Sequence, residues 1–143
     1  MTAKPSLEDG FVVCRNLRGT MDKKLKVLVV DDEPEIRELF KMLLEGEGHE
    51  VQVAENGKVG VELFKISVFD VVLLDVHMPV MTGPEALKEI KKQKPCQKVI
   101  IFSSSSDPYL KFEKEAEKLG AFSCLYKPVS VEEILGIIEK AVL

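Results

Sequence analysis

Carboxylates and an amine stand where apolar segments of the sequence end. Asp31 and Asp32 follow the segment KVLVV, and Asp75 follows VVLL. Lys127 follows AFSCLY. Adjacent carboxylates beside an apolar segment repel each other unless a cation lies between them, and Mg²⁺ prefers oxygen ligands of this kind. A metal ion and an amine neutralise phosphoryl oxygens while a carboxylate acts as nucleophile, so these residues predict a Mg²⁺-dependent phosphoryl-transfer site.

Each candidate also has an ordinary explanation. Asp32 could cap the helix that follows it, and Asp75 could be a solvated loop residue. Ser103, which follows VIIF, lies in a serine run, and Lys127 could be a surface amine. Glu33 is interpreted as an exposed residue at a helix start. Because these separate explanations would have to coincide at the ends of four segments, we favour one joint explanation, a shared site.

Strand and helix patterns alternate from Leu25 onward. Asn56 is a predicted N-cap, Asp107 and Pro108 open a helix, and Ser130 and Glu133 are spaced as a capping box. The first helix carries an apolar stripe formed by Ile36, Leu39, Phe40, Leu43 and Leu44. The predicted strands cover 25–30, 49–54, 70–75, 98–102 and 121–126. The predicted helices cover 33–48, 56–66, 82–93, 107–120 and 130–143, with Pro84 in the first turn of the third.

This alternation predicts a doubly wound α/β fold. The segments 25–30, 70–75 and 98–102 are almost entirely apolar, which is typical of parallel strands covered on both faces. Right-handed crossovers then give a five-stranded parallel sheet between two helical layers. Ligands of such sheets bind beyond the carboxyl ends of the strands, which is where the candidate residues lie.

Composition excludes several classes of protein. The 143 residues carry a net charge of −4, with 45% hydrophobic residues, and the pI is near 5.3. This charge, without a Lys/Arg cluster, argues against nucleic-acid binding. Cys14, Cys96 and Cys124 lack the spacing of a zinc site or a disulfide framework. No apolar stretch approaches the ~20 residues of a membrane span, so we expect a cytoplasmic protein that does not bind membranes.

The N-terminal residues differ from the rest of the chain. Residues 1–24 show no sustained period apart from the apolar residues Phe11 to Val13. We interpret 1–24 as a flexible arm, with a short docking strand as one alternative, and 25–143 as the folded domain.

Taken in order, the motifs VVDDE, LLDVHMPVMTG, IIFSS and KP resemble those of the CheY-like receiver domains of two-component response regulators. The similarity runs from about Lys24 to the C-terminus. It implies a flavodoxin-like three-layer sandwich with strand order 2-1-3-4-5. It also implies that Asp75 is the phosphoacceptor, and that Asp31, Asp32, Asp75 and the backbone carbonyl of His77 bind Mg²⁺, with Mn²⁺ as an expected substitute.

The resemblance assigns further roles to the last two strands. It implies that Ser103 and Lys127 each pair with a phosphoryl oxygen and that the peptide before Pro128 is cis. The strand 5 switch position, often Tyr or Phe in the family, is Cys124 here. Tyr126 lies on the same face by alternation and is the alternative switch residue.

Two loops contain features that vary within the family. The segment SSSSDPY, residues 103–109, is about two residues longer than the common loop, as judged from the resemblance. His77, two residues past Asp75, and Ser105 are candidates for tuning dephosphorylation; an exposed loop residue is the alternative for His77.

The resemblance implies partners as well. The expected phosphoryl donor is a sensor histidine kinase or a histidine phosphotransfer protein, and the downstream target is a protein that the sequence does not identify. Because nothing follows the last predicted helix, we expect a stand-alone receiver rather than an enzyme, with a fragment of a longer protein as the alternative. It would be a monomer or a weak dimer through the helix 4–strand 5–helix 5 face.

Other classes are weaker alternatives. A flavodoxin-like nucleotide or flavin site would need a phosphate-binding loop after strand 1, where DDEPE would repel an anion. A haloacid-dehalogenase-type phosphatase needs a second acid two residues past the nucleophile, a condition that Asp31 and Glu33 meet only weakly. The third alternative is a degenerate receiver that binds proteins without being phosphorylated.

Overall fold

The structure is a computed structural model, and it describes residues 24–104 and 111–143. The predicted arm with Phe11 to Val13, the loop residue Ser105 and the helix start at Asp107 and Pro108 lie outside the described residues. Among the helices of the described part of the chain, none has both the length and the apolar character to cross a membrane.

Five strands and five helices alternate along the chain, as the sequence predicted. The strands are β1 (Lys26–Val30), β2 (Glu50–Ala54), β3 (Val71–Asp75), β4 (Lys98–Ser104) and β5 (Ser123–Lys127). The helices are α1 (Pro34–Gly46), α2 (Gly57–Ile66), α3 (Gly83–Gln93), α4 (Lys111–Lys118) and α5 (Val131–Val142).

The strands form one parallel sheet in the order β2-β1-β3-β4-β5. All four neighbouring pairs are parallel, with Val27 opposite Val51 and Val71, and Ser103 opposite Tyr126. The predicted order and fold class are therefore confirmed. In a parallel sheet every strand ends at the same edge, so the residues after β1, β3 and β5 are brought together.

Apolar clusters cover both faces of the sheet. One contains Val61 and Phe64 of α2, Leu87 and Ile90 of α3, and Ala116 of α4. The other contains residues of α1 and α5, namely Phe40, Leu44, Ile134, Ile138 and Ala141. The central strands β1, β3 and β4 supply buried residues to both clusters, which explains their continuous apolar sequences.

The structure differs from the expected elements at several boundaries and in the exposure of one residue. β5, for example, was predicted over 121–126 and spans Ser123–Lys127. Leu39, assigned to the apolar stripe of α1, is 54% exposed because it lies at the edge of that stripe. β4 extends two residues beyond the predicted end at Phe102, because pairing with β5 continues through Ser104 and Lys127.

Side-chain caps fix the starts of three helices. Asn56 accepts a hydrogen bond from the backbone N–H of Val59 (2.9 Å), as predicted. The capping box of Ser130 and Glu133 is present. A second capping box begins α3 and is formed by Thr82 and Glu85. It was not predicted, although the Thr-x-x-Glu pattern is its sequence signal.

Candidate functional site

Three carboxylates converge at the carboxyl edge of the sheet. Asp31 and Asp32 follow β1, and Asp75 is the last residue of β3. One carboxylate oxygen of each lies within 4.8 Å of the others. Asp31 and Asp75 are buried, whereas Asp32 is exposed. The structure therefore brings together the three acids that the sequence grouped.

Lys127, the last residue of β5, reaches across this edge into the acidic cluster. Its Nζ lies 2.9 Å from Asp31 Oδ2 and 3.1 Å from Asp75 Oδ1. A third carboxylate, Glu33 Oε1, lies 3.4 Å from the same Nζ. From the sequence, Glu33 was expected to be an exposed residue at the helix start, so its contact with Lys127 was not predicted. The Lys127–Pro128 peptide is cis, as the resemblance implied.

Backbone contacts hold Asp31 in place. Its Oδ1 accepts a hydrogen bond from the N–H of Glu33 (2.9 Å), and its backbone carbonyl accepts one from Arg37 Nη1 (2.7 Å). Its own N–H donates to Ala54 O of β2 (3.1 Å). Asp31 is thus anchored to both β2 and α1. The contact of Arg37 with Asp31 was not predicted, and a single sequence offers no evident signal for it.

Gly83 supports the backbone of Asp75. A Cβ at position 83 would overlap the Asp75 carbonyl oxygen and would lie 2.8 Å from Val76 Cα. The Gly83 N–H donates to Val76 O (2.9 Å). The chain between β3 and α3 therefore folds back against the end of β3, and only a residue without a side chain fits there. This requirement was also missed.

Electrostatics at this edge favour added positive charge. Burial, followed by the charge of Asp31, raises the pKa of Asp75 to about 6, against the lowering effect of Lys127. Burial alone would lower the pKa of Lys127, but its hydrogen bonds and attraction to Asp31 and Asp75 outweigh this and raise it. Lys127 therefore stays an ammonium and offsets only part of the carboxylate charge.

The residues present fit a divalent metal ion. Asp31, Asp32 and Asp75 with the single ammonium of Lys127 leave an excess of two negative charges. Carboxylate oxygens held this close to one another match the ligand preference of Mg²⁺. His77, whose carbonyl was the expected fourth ligand, is exposed and borders the same cleft as Asp32 and Asp75.

An open cleft of about 580 Å³ lies over these groups. Its polar part is formed by Asp32, Glu33, Asp75, His77 and Lys127. Its apolar wall comes from α1 and from the segment after β5, and consists of Ile36, Leu39, Phe40, Pro128 and Val129. Asp75 and Lys127 can therefore be reached from solvent although Asp75 itself is buried.

The expected switch residues lie on β4 and β5. Ser103 is fully buried inside β4, one residue past Phe102, which pairs with Asp75. Ser103 itself pairs with Tyr126, which is half-buried. Cys124 pairs with Ile101 and packs against the cluster on the α2–α3 face of the sheet. Ser105, the remaining candidate, lies outside the described residues.

Comparisons with known proteins agree on one kind of domain. A family model described as response regulator receiver domain matches residues 27–139. The regulatory protein AtoC of Escherichia coli strain K12 is 33% identical over 116 residues, which cover 81% of this chain and 25% of AtoC. The chain thus spans about a quarter of the length of that relative.

Two solved structures show the same similarity over nearly all of their length. A response regulator receiver domain protein from Clostridium thermocellum is 38% identical with a TM-score of 0.77, covering 82% of this chain and 94% of that one. The response regulator TrrA of Thermotoga maritima, solved in complex with Mg(2+)-BeF, is 34% identical with a TM-score of 0.73, covering 83% of this chain and 99% of that one.

Proposed function

The chain belongs to the response regulator receiver domain family of two-component signalling, and from this premise we propose that it accepts a phosphoryl group on Asp75 from a phosphohistidine donor in a Mg²⁺-dependent reaction. The observation that supports the proposal best is the contact of Lys127 with both Asp31 and Asp75 at the floor of an open cleft. This arrangement offers one carboxylate to a donor and places an ammonium beside it.

The two buried acids have different surroundings, which suits different roles. Asp31 uses one oxygen for the Glu33 N–H and the other for Lys127, and its backbone is tied to β2 and α1. It is therefore a fixed anchor. Asp75 contacts Lys127 through Oδ1 and borders the cleft. We assign Asp75 as the nucleophile for this reason.

The proposed step is an in-line phosphoryl transfer. A carboxylate oxygen of Asp75 forms a bond to phosphorus while the bond between phosphorus and the donor imidazole nitrogen breaks. The electron pair of that bond leaves with the imidazole, which takes up a proton. Lys127 offsets charge on one phosphoryl oxygen, and Ser103 is assigned to a second.

Asp31, Asp32, Asp75 and the carbonyl of His77 would hold the metal ion. Mg²⁺, or Mn²⁺ in its place, supplies positive charge to the phosphoryl oxygens when it is bound. The chain therefore acts as a phosphoacceptor that promotes only its own phosphorylation and dephosphorylation. His77 and Ser105 are proposed to tune the second of these reactions.

The output of the phosphorylated state is proposed to be a change in protein binding. Ser103 of β4 and Tyr126 of β5 are paired neighbours, and Cys124 of β5 packs against the cluster on the α2–α3 face. A movement of Ser103 can therefore shift β5 and the side chains that it carries. We propose the α4–β5–α5 face as the surface for a target or a weak dimer. A cytoplasmic role of this domain without nucleic-acid or membrane binding belongs to the same proposal, as do the histidine kinase or phosphotransfer partners.

Intact mass measurement tests the proposal directly. Incubation with Mg²⁺ and acetyl phosphate should add one phosphoryl group, and reduction with borohydride should locate it at Asp75. Asp75→Asn or excess EDTA should abolish the addition, whereas Glu35→Gln, which removes an exposed acid of α1, should not. If no group is added and fluoroberyllate does not bind, the proposal is wrong and the degenerate, protein-binding receiver is favoured.

A further inference from the structure

Lys127 has as many carboxylate partners as it has N–H bonds. An ammonium group has three donors. Asp31 Oδ2, Asp75 Oδ1 and Glu33 Oε1 lie 2.9, 3.1 and 3.4 Å from its Nζ. A phosphoryl oxygen that arrives at Asp75 must therefore replace one of these carboxylates before it can accept a hydrogen bond from Lys127.

The three contacts differ in length and in exposure to water. The side chains of Asp31 and Asp75 are 3% and 7% exposed, whereas that of Glu33 is 57% exposed. Glu33 also makes the longest contact. Water and salt compete best for exposed ion pairs, so the Glu33 contact is the easiest of the three to give up.

The Glu33 side chain does not serve the helix that it precedes. Glu33 occupies the N-cap position of α1, but its side chain makes no capping hydrogen bond. Its backbone carbonyl accepts from the N–H groups of Ile36 and Arg37, which any residue could provide. The carboxylate borders the same cleft as Asp75 and Lys127, so its charge acts on whatever binds there.

We propose that Glu33 is a competing ligand that occupies the third N–H of Lys127 in the unphosphorylated protein and is exchanged for a phosphoryl oxygen. This inference rests on the proposed function. It predicts that Glu33 weakens the affinity of the site for a phosphoryl group. The same negative charge attracts a divalent cation, so removal of the charge should change the binding of the two ligands in opposite directions.

The test compares wild type with Glu33→Gln by calorimetric titration. With saturating Mg²⁺, the variant should bind fluoroberyllate about two- to fivefold more tightly, the range for loss of one exposed ion pair. Without fluoroberyllate, its Mg²⁺ affinity should fall by about twofold because one exposed charge is lost. Glu35→Gln removes another exposed acid, from the first turn of α1, and should leave both affinities close to wild type.

Further outcomes separate this inference from the proposed function. Glu33→Ser, which supplies a good N-cap, should reproduce the tighter fluoroberyllate binding, so that a folding defect of one variant does not decide the result. If both variants bind fluoroberyllate no more tightly than wild type, or if the affinities for fluoroberyllate and Mg²⁺ fall together, Glu33 does not compete and the inference is wrong. If wild type itself does not bind fluoroberyllate, the proposed function fails and takes the inference with it.

Discussion

Polar groups are paired differently at the two edges of the sheet. At the amino edge, three charged or polar side chains each meet a backbone group of opposite polarity. Asp70 Oδ2 accepts from the Lys26 N–H (2.8 Å), His49 Nδ1 accepts from the Leu25 N–H (3.1 Å) and Lys91 Nζ donates to Gln97 O (2.7 Å). At the carboxyl edge, three carboxylates face one another with one ammonium among them.

The difference separates groups that stabilise the fold from groups that we propose to bind a ligand. A buried polar group with a good partner contributes modestly to stability and costs more when the partner is removed. Like charges at close range lower stability until a cation or a chemical change relieves them. We therefore expect substitutions at the amino edge to lower stability without altering ligand binding, and the central substitution at the carboxyl edge to do the reverse.

Gly83→Ala should displace the backbone at the carboxyl edge and have the largest effect on the free energy of unfolding. The new methyl group would overlap the Asp75 carbonyl oxygen, and backbone atoms cannot move aside as a flexible side chain can. We expect a loss of about 3 kcal/mol or more in urea denaturation, together with weaker fluoroberyllate binding. Gly46→Ala at the end of α1, where a Cβ meets no atom within 4 Å, is the control and should not lower stability. Equal stability of the two variants would contradict the close packing of Gly83.

Asp75→Asn should raise stability while it abolishes phosphorylation. The folded pKa of Asp75, about 6, lies above its ordinary value of 3.8. Its ionisation therefore costs the folded state free energy that is absent below about pH 4 and complete above about pH 6. In EDTA at about pH 7.5 the variant should be more stable than wild type by about 1–3 kcal/mol, and this gain should vanish as the pH falls towards 4.

The amino edge supplies the matched comparison for that result. Asp70→Ala removes an acid as well, but this acid accepts a hydrogen bond from the Lys26 N–H. Loss of the acceptor should lower stability by about 1–2 kcal/mol and leave fluoroberyllate binding intact. If both acid substitutions stabilised the protein, general charge reduction rather than the local arrangement would be the cause.

His49 should make the amino edge sensitive to acid in the opposite direction from Asp75. Burial lowers the pKa of His49 below 6.5, so the unfolded state takes up the proton more readily. The contribution of neutral His49 to the stability of the folded state is present above about pH 6.5, and it is lost as the pH falls through the pKa that His49 has in the folded state. His49→Leu, measured in an Asp75→Asn background to remove the opposing titration, should flatten this dependence. At about pH 7.5 it should cost about 1–3 kcal/mol for the unpaired Leu25 N–H. A pH dependence that is equally steep with Leu at position 49 would contradict the assignment.

The sequence was sufficient to predict the fold and the membership of the acidic cluster, because both depend on periodicity and on the rule that parallel strands end at one edge. Asp31, Asp32, Asp75 and Lys127 needed no knowledge of side-chain positions to be grouped. The contacts of Glu33 and Arg37 and the close approach of Gly83 depend on side-chain rotamers and on the path of a loop, which residue spacing does not determine. The end of β4 was predicted too early because Ser103 and Ser104 are polar in type, whereas pairing with β5 continues through both of them.

Ser130→Ala should have the smallest effect and tests whether position at the carboxyl edge is itself the cause of low stability. Ser130 follows β5 by three residues, yet in the capping box of α5 its side chain accepts a hydrogen bond from the backbone N–H of Glu133, and the Glu133 side chain accepts one from the Ser130 N–H. Loss of this cap should lower stability by about 1 kcal/mol and leave fluoroberyllate affinity unchanged. If Ser130→Ala instead raised stability, as Asp75→Asn is expected to do, polar groups anywhere along the carboxyl edge would lower the stability of the fold. If Ser130→Ala lowers stability, the destabilisation at this edge is due to the like charges around Asp75, because polar groups with partners would then stabilise the fold at either edge.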